Sequence, residues 1–179
     1  MKKLLFCAVA LLVGVNAMAA NDPKWQDPNF FEENRAPMRS TFIVTPSGED
    51  VVDVHDFTRS SLYRSLAGLW NFYWTENATN PQPAEFYSLK YDDSAWGTIP
   101  VPGLWELNGY GVPLYTNSRY PWHKYYQNNP PYVPTELNAV GSYRRKVEIP
   151  AEWRGKQIFV HIGSATSNLS MWINGKYVG

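Results

Sequence analysis

Three stretches toward the C-terminal end of this chain repeat their apolar residues with a period of two, a spacing that suits extended backbone. Ser142 to Ile149 sets Tyr143, Arg145, Val147 and Ile149 on one face, with Arg144, Lys146 and Glu148 on the other. That is the alternation of a half-buried strand, and Pro150 ends it. Gln157 to Ile162 aligns Ile158, Val160 and Ile162, and Leu169 to Ile173 aligns Leu169, Met171 and Ile173. Leu69 to Trp74 is apolar except for Asn71, which suits a strand buried on most of its surface. Asp92-Asp93-Ser94 marks a turn before Trp96. No segment offers a long amphipathic helix. Short strands between frequent turn signals predict an all-β fold, a β-sandwich.

Asn174-Gly175 is the strongest short hairpin signal, because both central positions of a type I′ turn need positive φ. It follows a good strand, yet only Lys176, Tyr177, Val178 and Gly179 come after it. A returning strand this short predicts that the sequence is the N-terminal piece of a longer polypeptide, since strands usually run longer. A short edge strand is the alternative. Residues 20–179 alone are expected to be poorly soluble, with one core face uncovered.

The N-terminus reads as an export signal. Lys2 and Lys3 form a positive start, Leu4 to Val15 is uninterrupted and apolar, and Ala17-Met18-Ala19 fits a small-x-small cleavage pattern. The run is too short for a membrane span of about 20 residues. Residues 1–19 are therefore assigned to a signal peptide cleaved near Ala19, and the product to the periplasm or the extracellular space. Cys7, the only cysteine, leaves with the signal, so no disulfide is expected in the mature chain. Residues 20–60 read as an irregular arm, with one helical turn predicted through Phe30–Asn34. Residues 61–179 form the sandwich domain.

The 179 residues carry no net charge. With no basic run there is no electrostatic footprint for nucleic acid. Aromatic residues reach 16%, and they crowd into Trp105 to Tyr143, a stretch rich in Pro, Gly and Asn. A long aperiodic loop is usually functional or disordered, and disordered segments are poor in aromatics. An ordered loop of flat side chains and amides is the material of a carbohydrate site.

Glycoside hydrolysis needs two carboxylates. Glu106 and Glu136 lie in this loop, but most carboxylates are solvated or paired, and bonding to backbone or to arginines such as Arg119 is the favoured reading of both. His55, His123 and His161 lack partners at metal-ligand spacing, and His161 reads as a satisfied structural histidine in mid-strand. No catalytic residue and no metal ligand is assigned. Asn117, between Tyr115 and Tyr120, offers two donors and an acceptor to a sugar hydroxyl, or it serves a turn. Trp105 and Trp122 could stack on a pyranose or belong to the core.

The order Trp105-Glu106, Asn108-Gly109-Tyr110-Gly111, Pro113-x-Tyr115-Thr116-Asn117, Tyr120-Pro121, Asn129-Pro130-Pro131-x-Val133-Pro134 and Gly141-Ser142-Tyr143 resembles the N-terminal sugar-binding domain of family 2 β-galactosidases. The likeness continues through Gly163-Ser164, Ser167-Asn168 and Trp172-x-Asn174-Gly175-x-x-Val178-Gly179. The signal and the Trp25-x-Asp27-Pro28 arm look like exported Bacteroides-type members. The resemblance implies a jelly-roll β-sandwich, here incomplete on its C-terminal side. It implies a parent enzyme that hydrolyses terminal β-D-galactose with retention. Both catalytic glutamates, and any Mg and Na ions, would then lie in a (β/α)₈ barrel beyond this sequence. Asn117 matches the family's galactose-contacting asparagine. The fragment alone is expected to be inactive and to need the remaining domains of its own polypeptide, in a parent that the resemblance allows to be a homo-oligomer. The segment Trp122 to Asn128 is longer than in the enterobacterial form, which leaves the preferred aglycone open. Two other readings use the same residues: a free-standing carbohydrate-binding module, and a structural interface domain.

Overall fold

The computed structural model describes residues 24–49, 53, 55–78, 82–113, 115, 117 and 132–179. Among these there is no α-helix, only strands, turns and four short 3₁₀ turns. Three strands form an antiparallel sheet in the order β2-β1-β3: β1 is Gly68–Thr75, β2 is Gly97–Val101 and β3 is Val140–Arg144. The register pairs Phe72 with Gly97 on one side and with Tyr143 on the other. Trp70, Phe72 and Trp74 therefore share one face, as the two-residue period requires.

That face holds the tightest packing. Phe72 is 1% exposed and Ile99, opposite Trp70, is fully buried. The Phe72 ring meets Tyr143 at 4.7 Å and the edge of Tyr110 at 4.8 Å. The opposite face is clamped by polar groups. Asp93 accepts from Asn71 at 3.1 Å and from Arg144 Nε at 2.9 Å. The Arg144 guanidinium also donates to the carbonyls of Phe86, Ser88 and Tyr91. Beside this clamp Tyr73, Phe86, Tyr91 and Trp96 form an aromatic cluster.

The predicted Asn-Gly hairpin is present. β4 is Trp172–Ile173 and β5 is Lys176–Tyr177; Asn174 has φ 51° and Gly175 φ 80°, which matches a type I′ turn. Trp172 stacks on Tyr87 at 5.6 Å and meets Phe86 edge-on, so the hairpin docks on the clamped side. The arm then folds over the hairpin: Asn34 Nδ2 donates to the Val178 carbonyl at 2.9 Å, and Lys24 lies over the Tyr177 ring. Further along, Trp153 Nε1 donates to Ser61 at 3.0 Å.

Several expectations fare differently. The helical turn proposed at Phe30–Asn34 is replaced by a 3₁₀ turn at Lys24–Gln26 and a turn in which Phe30 N–H donates to Asp27. The strand expected over Ser142–Ile149 pairs only as far as Arg144. Just beyond, the Arg145 guanidinium, not its backbone, meets the carbonyls of Leu66 and Ala67 at 2.6 and 2.9 Å. Residues 157–162 carry no ladder among the described residues, and Ile158, Val160 and Ile162 are each at least 40% exposed. His161 is correspondingly exposed rather than satisfied within a strand. The pattern selects a face, but a strand also needs a partner to pair with.

Candidate functional site

The loop singled out in the sequence leaves β2 at Val101 and turns through the 3₁₀ segment Glu106–Asn108. Asn108 and Tyr110 N–H both donate to the Trp105 carbonyl, at 2.8 and 3.0 Å. Asn108 Nδ2 closes the same turn onto the Leu104 carbonyl at 2.7 Å. Gly109 ends the turn at φ 86°, a left-handed position that glycine takes without the Cβ penalty.

Two rings of this segment lie on the sheet. The Trp105 indole N–H donates to the Tyr143 hydroxyl, and the ring sits 6.3 Å from Phe72. Burial raises the Tyr143 phenol above its ordinary value; the Trp105 hydrogen bond opposes this and the Glu106 charge adds to it. The Glu106 side chain itself is exposed. Tyr110 packs between Phe72 and Trp74. The Trp74 indole N–H is buried without a hydrogen-bond partner among the described residues, and the same indole lies against Gly111.

Past Gly111 the chain turns outward. Tyr115 is 88% exposed, and Asn117 is exposed at a bend. An exposed amide and an exposed phenol on a loop rooted in aromatic packing can offer donors, an acceptor and a flat face to a polyhydroxyl ligand. Trp105, weighed above for stacking on a sugar, is held by the core. Glu136 is exposed in the turn that follows Thr135, whose carbonyl accepts from Ala78 N–H at 2.8 Å. Arg119, Tyr120, Trp122, His123 and the segment through Asn128 lie outside the described residues. Among the described residues no three His, Cys, Asp or Glu side chains converge on one point.

Sequence reasoning missed the anchoring role of Tyr110. The available signal was glycine: bare positions in strands often mark close approach, and Gly97 and Gly141 on β2 and β3 are such positions.

Antiparallel strands carrying an aromatic-rooted loop with an exposed amide define an all-β domain. The chain belongs to the family described as glycosyl hydrolases family 2, sugar binding domain, which matches residues 63–179. It is 33% identical over 164 residues to a β-galactosidase of Priestia megaterium, covering 91% of this chain and 16% of that protein. It is 35% identical over 154 residues to a β-galactosidase of Halalkalibacterium halodurans, covering 86% of this chain and 15% of that one. A β-galactosidase of Streptococcus thermophilus is 36% identical over 160 residues, covering 84% and 16%. The chain thus spans about 15% of the length of the curated relatives it matches.

Proposed function

We propose that this chain is the N-terminal part of an exported β-galactosidase and lends that enzyme a galactose-contacting loop. The observation that carries this is similarity across most of the chain to proteins named β-galactosidase, with Asn117 exposed on the loop. In this reading residues 61–179 belong to a jelly-roll sandwich that later strands complete. Residues 1–19 direct export and are removed near Ala19, and residues 20–60 form the arm.

The reaction is hydrolysis of terminal non-reducing β-D-galactose with retention, in carbohydrate catabolism. Retention requires two carboxylates about 5 Å apart, one acting as nucleophile and one as acid/base. Both belong to a barrel later in the polypeptide, as would any Mg and Na ions, and no step is assigned to a metal here. Asn117 holds galactose hydroxyls through its amide and orients the sugar for attack. It transfers no proton and forms no covalent bond. Positioning of this kind supplies rate by fixing a near-attack geometry.

The test is hydrolysis of a chromogenic β-galactoside by the whole polypeptide that the gene encodes, compared with its Asn117→Ala variant. The expected result is activity in the parent and a fall in kcat/KM of about tenfold to a hundredfold in the variant. Residues 20–179 alone should show no turnover. An unchanged kcat/KM in Asn117→Ala would remove the residue from the site.

A further inference from the structure

The loop that presents Asn117 meets the sheet where two side chains are missing. Gly97 on β2 pairs directly with Phe72, so a side chain there would stand on the Phe72 face. That space is filled by Tyr110. A Cβ added at Gly97 would lie 2.8 Å from the Tyr110 hydroxyl, closer than carbon and oxygen tolerate. Gly141 on β3 is the mirror case, where a Cβ would lie 2.8 Å from both Trp105 Cζ2 and Phe72 Cε2. Gly97 has no need of glycine for its backbone, since its φ is not positive. Its need is for room.

The Tyr110 ring has little freedom to yield. Its edge stands against Phe72 at 4.8 Å and 81°, and its own N–H is held by the Trp105 carbonyl. Gly111, the next residue, lies on the Trp74 indole, at 3.4 Å from where its Cβ would be. Asn117 follows six positions later, a reach of at most about 20 Å for extended chain. A ring displaced at Tyr110 would disturb the start of the segment that leads from β2 toward Asn117.

We propose that Tyr110, seated in the slot left by Gly97, is a positioning residue that sets where Asn117 stands. The inference rests on the galactose-contacting role given to Asn117 above. It makes three positions a unit: the slot, the ring that fills it and the amide it places.

The experiment compares Gly97→Ala, Tyr110→Phe, the double variant and Asn117→Ala in the whole encoded polypeptide, using a chromogenic β-galactoside. Thermal midpoints are recorded alongside. Gly97→Ala should lower kcat/KM about tenfold, within what a displacement of about 1 Å can cost. Tyr110→Phe alone keeps the ring and serves as the reference for the double variant. The double variant should recover most of the loss, because it removes the atom that the new methyl meets. A purely structural role for Gly97 predicts a lower thermal midpoint with kcat/KM of the folded protein unchanged, which would overturn the proposal. Should Gly97→Ala fail to fold, Tyr110→Leu empties the same anchor without touching β2, and a comparable loss is expected. If Asn117→Ala loses activity while Gly97→Ala and Tyr110→Leu do not, the positioning role is overturned and the galactose contact stands. If Asn117→Ala loses nothing, both are overturned together.

Discussion

The two faces of the three-stranded sheet solve the same problem with different physics. On the Phe72 face, position is set by exclusion: Trp105, Tyr110 and Tyr143 crowd one ring, and two bare glycines leave the space for them. On the Arg144 face, position is set by direction: one guanidinium gathers Asp93 and three backbone carbonyls. The first arrangement is sensitive chiefly to volume; its half-buried phenol, Tyr143, is held above its ordinary value and so stays protonated in acid. The second is sensitive to charge and tolerates some change of shape.

The comparison breaks most visibly at Phe72. Phe72→Ala removes the ring that three aromatic neighbours share, and substitutions of this kind cost about 3–5 kcal/mol. Hydrogen exchange of the β1 amides in the encoded polypeptide should rise by about two to four orders of magnitude as local opening becomes easier. The hairpin Trp172–Tyr177, docked on the far side, should change far less. Equal loosening of both would show that the two faces unfold as one unit.

The second effect is smaller and depends on pH. Asp93 is held below the usual carboxylate value, chiefly by the hydrogen bond from Asn71 and further by Arg144, against a desolvation that works the other way. A depressed folded pKa means stability that is present above the unfolded value of about 3.9. That stability is lost as pH falls through the lowered folded value. Asp93→Ala should cost about 2 kcal/mol at neutral pH, the scale of a hydrogen-bonded charge that loses its partner. It should also flatten the acid limb of the stability profile. Exchange of the β3 amides measured from pH 7 to pH 3 separates the two cases: the parent should lose protection as acid is added, and the variant should begin lower and change less.

Much of this division was legible in the sequence, and the parts that were not have a common cause. β1 was read from its apolar run, and the hairpin from Asn174-Gly175, because both depend on neighbours in the chain. The turn before Trp96 was likewise local: Trp96 N–H donates to Asp93 at 3.1 Å. The clamp was not legible, because Arg144 stands 51 residues from Asp93 and nothing in the local pattern names a distant partner. Ile158, Val160 and Ile162 displayed a correct alternation without a ladder among the described residues. Trp105 offered a flat ring suited to sugar or core, and only the Tyr143 hydroxyl opposite its N–H decided for the core. Asn117 was picked out by its chemistry and by resemblance, whereas its anchor at Tyr110 needed the register of β1 against β2.

The smallest effect tests whether the arm belongs to either face. Lys24 donates to Glu33 and lies 4.8 Å from the ring centres of both Phe30 and Tyr177. The Glu33 hydrogen bond raises the lysine's pKa, and the lysine lowers that of the glutamate. The glutamate's contribution is lost only as pH falls below the ordinary carboxylate range, and the lysine's only as pH rises past its own value. Between these limits the contact does not vary. The ion pair is open to solvent on both sides, where salt screens a pair of charges and little net stability results. Lys24→Ala should therefore leave the exchange of Val178, which donates to Met171 at 2.9 Å, close to that of the parent. Faster exchange should be confined to the arm, at amides such as Phe30, and raised salt should produce the same change in the parent. If instead Val178 exchanges faster in the variant, the arm is part of what holds the hairpin to the Arg144 face, and that face is larger than its polar clamp.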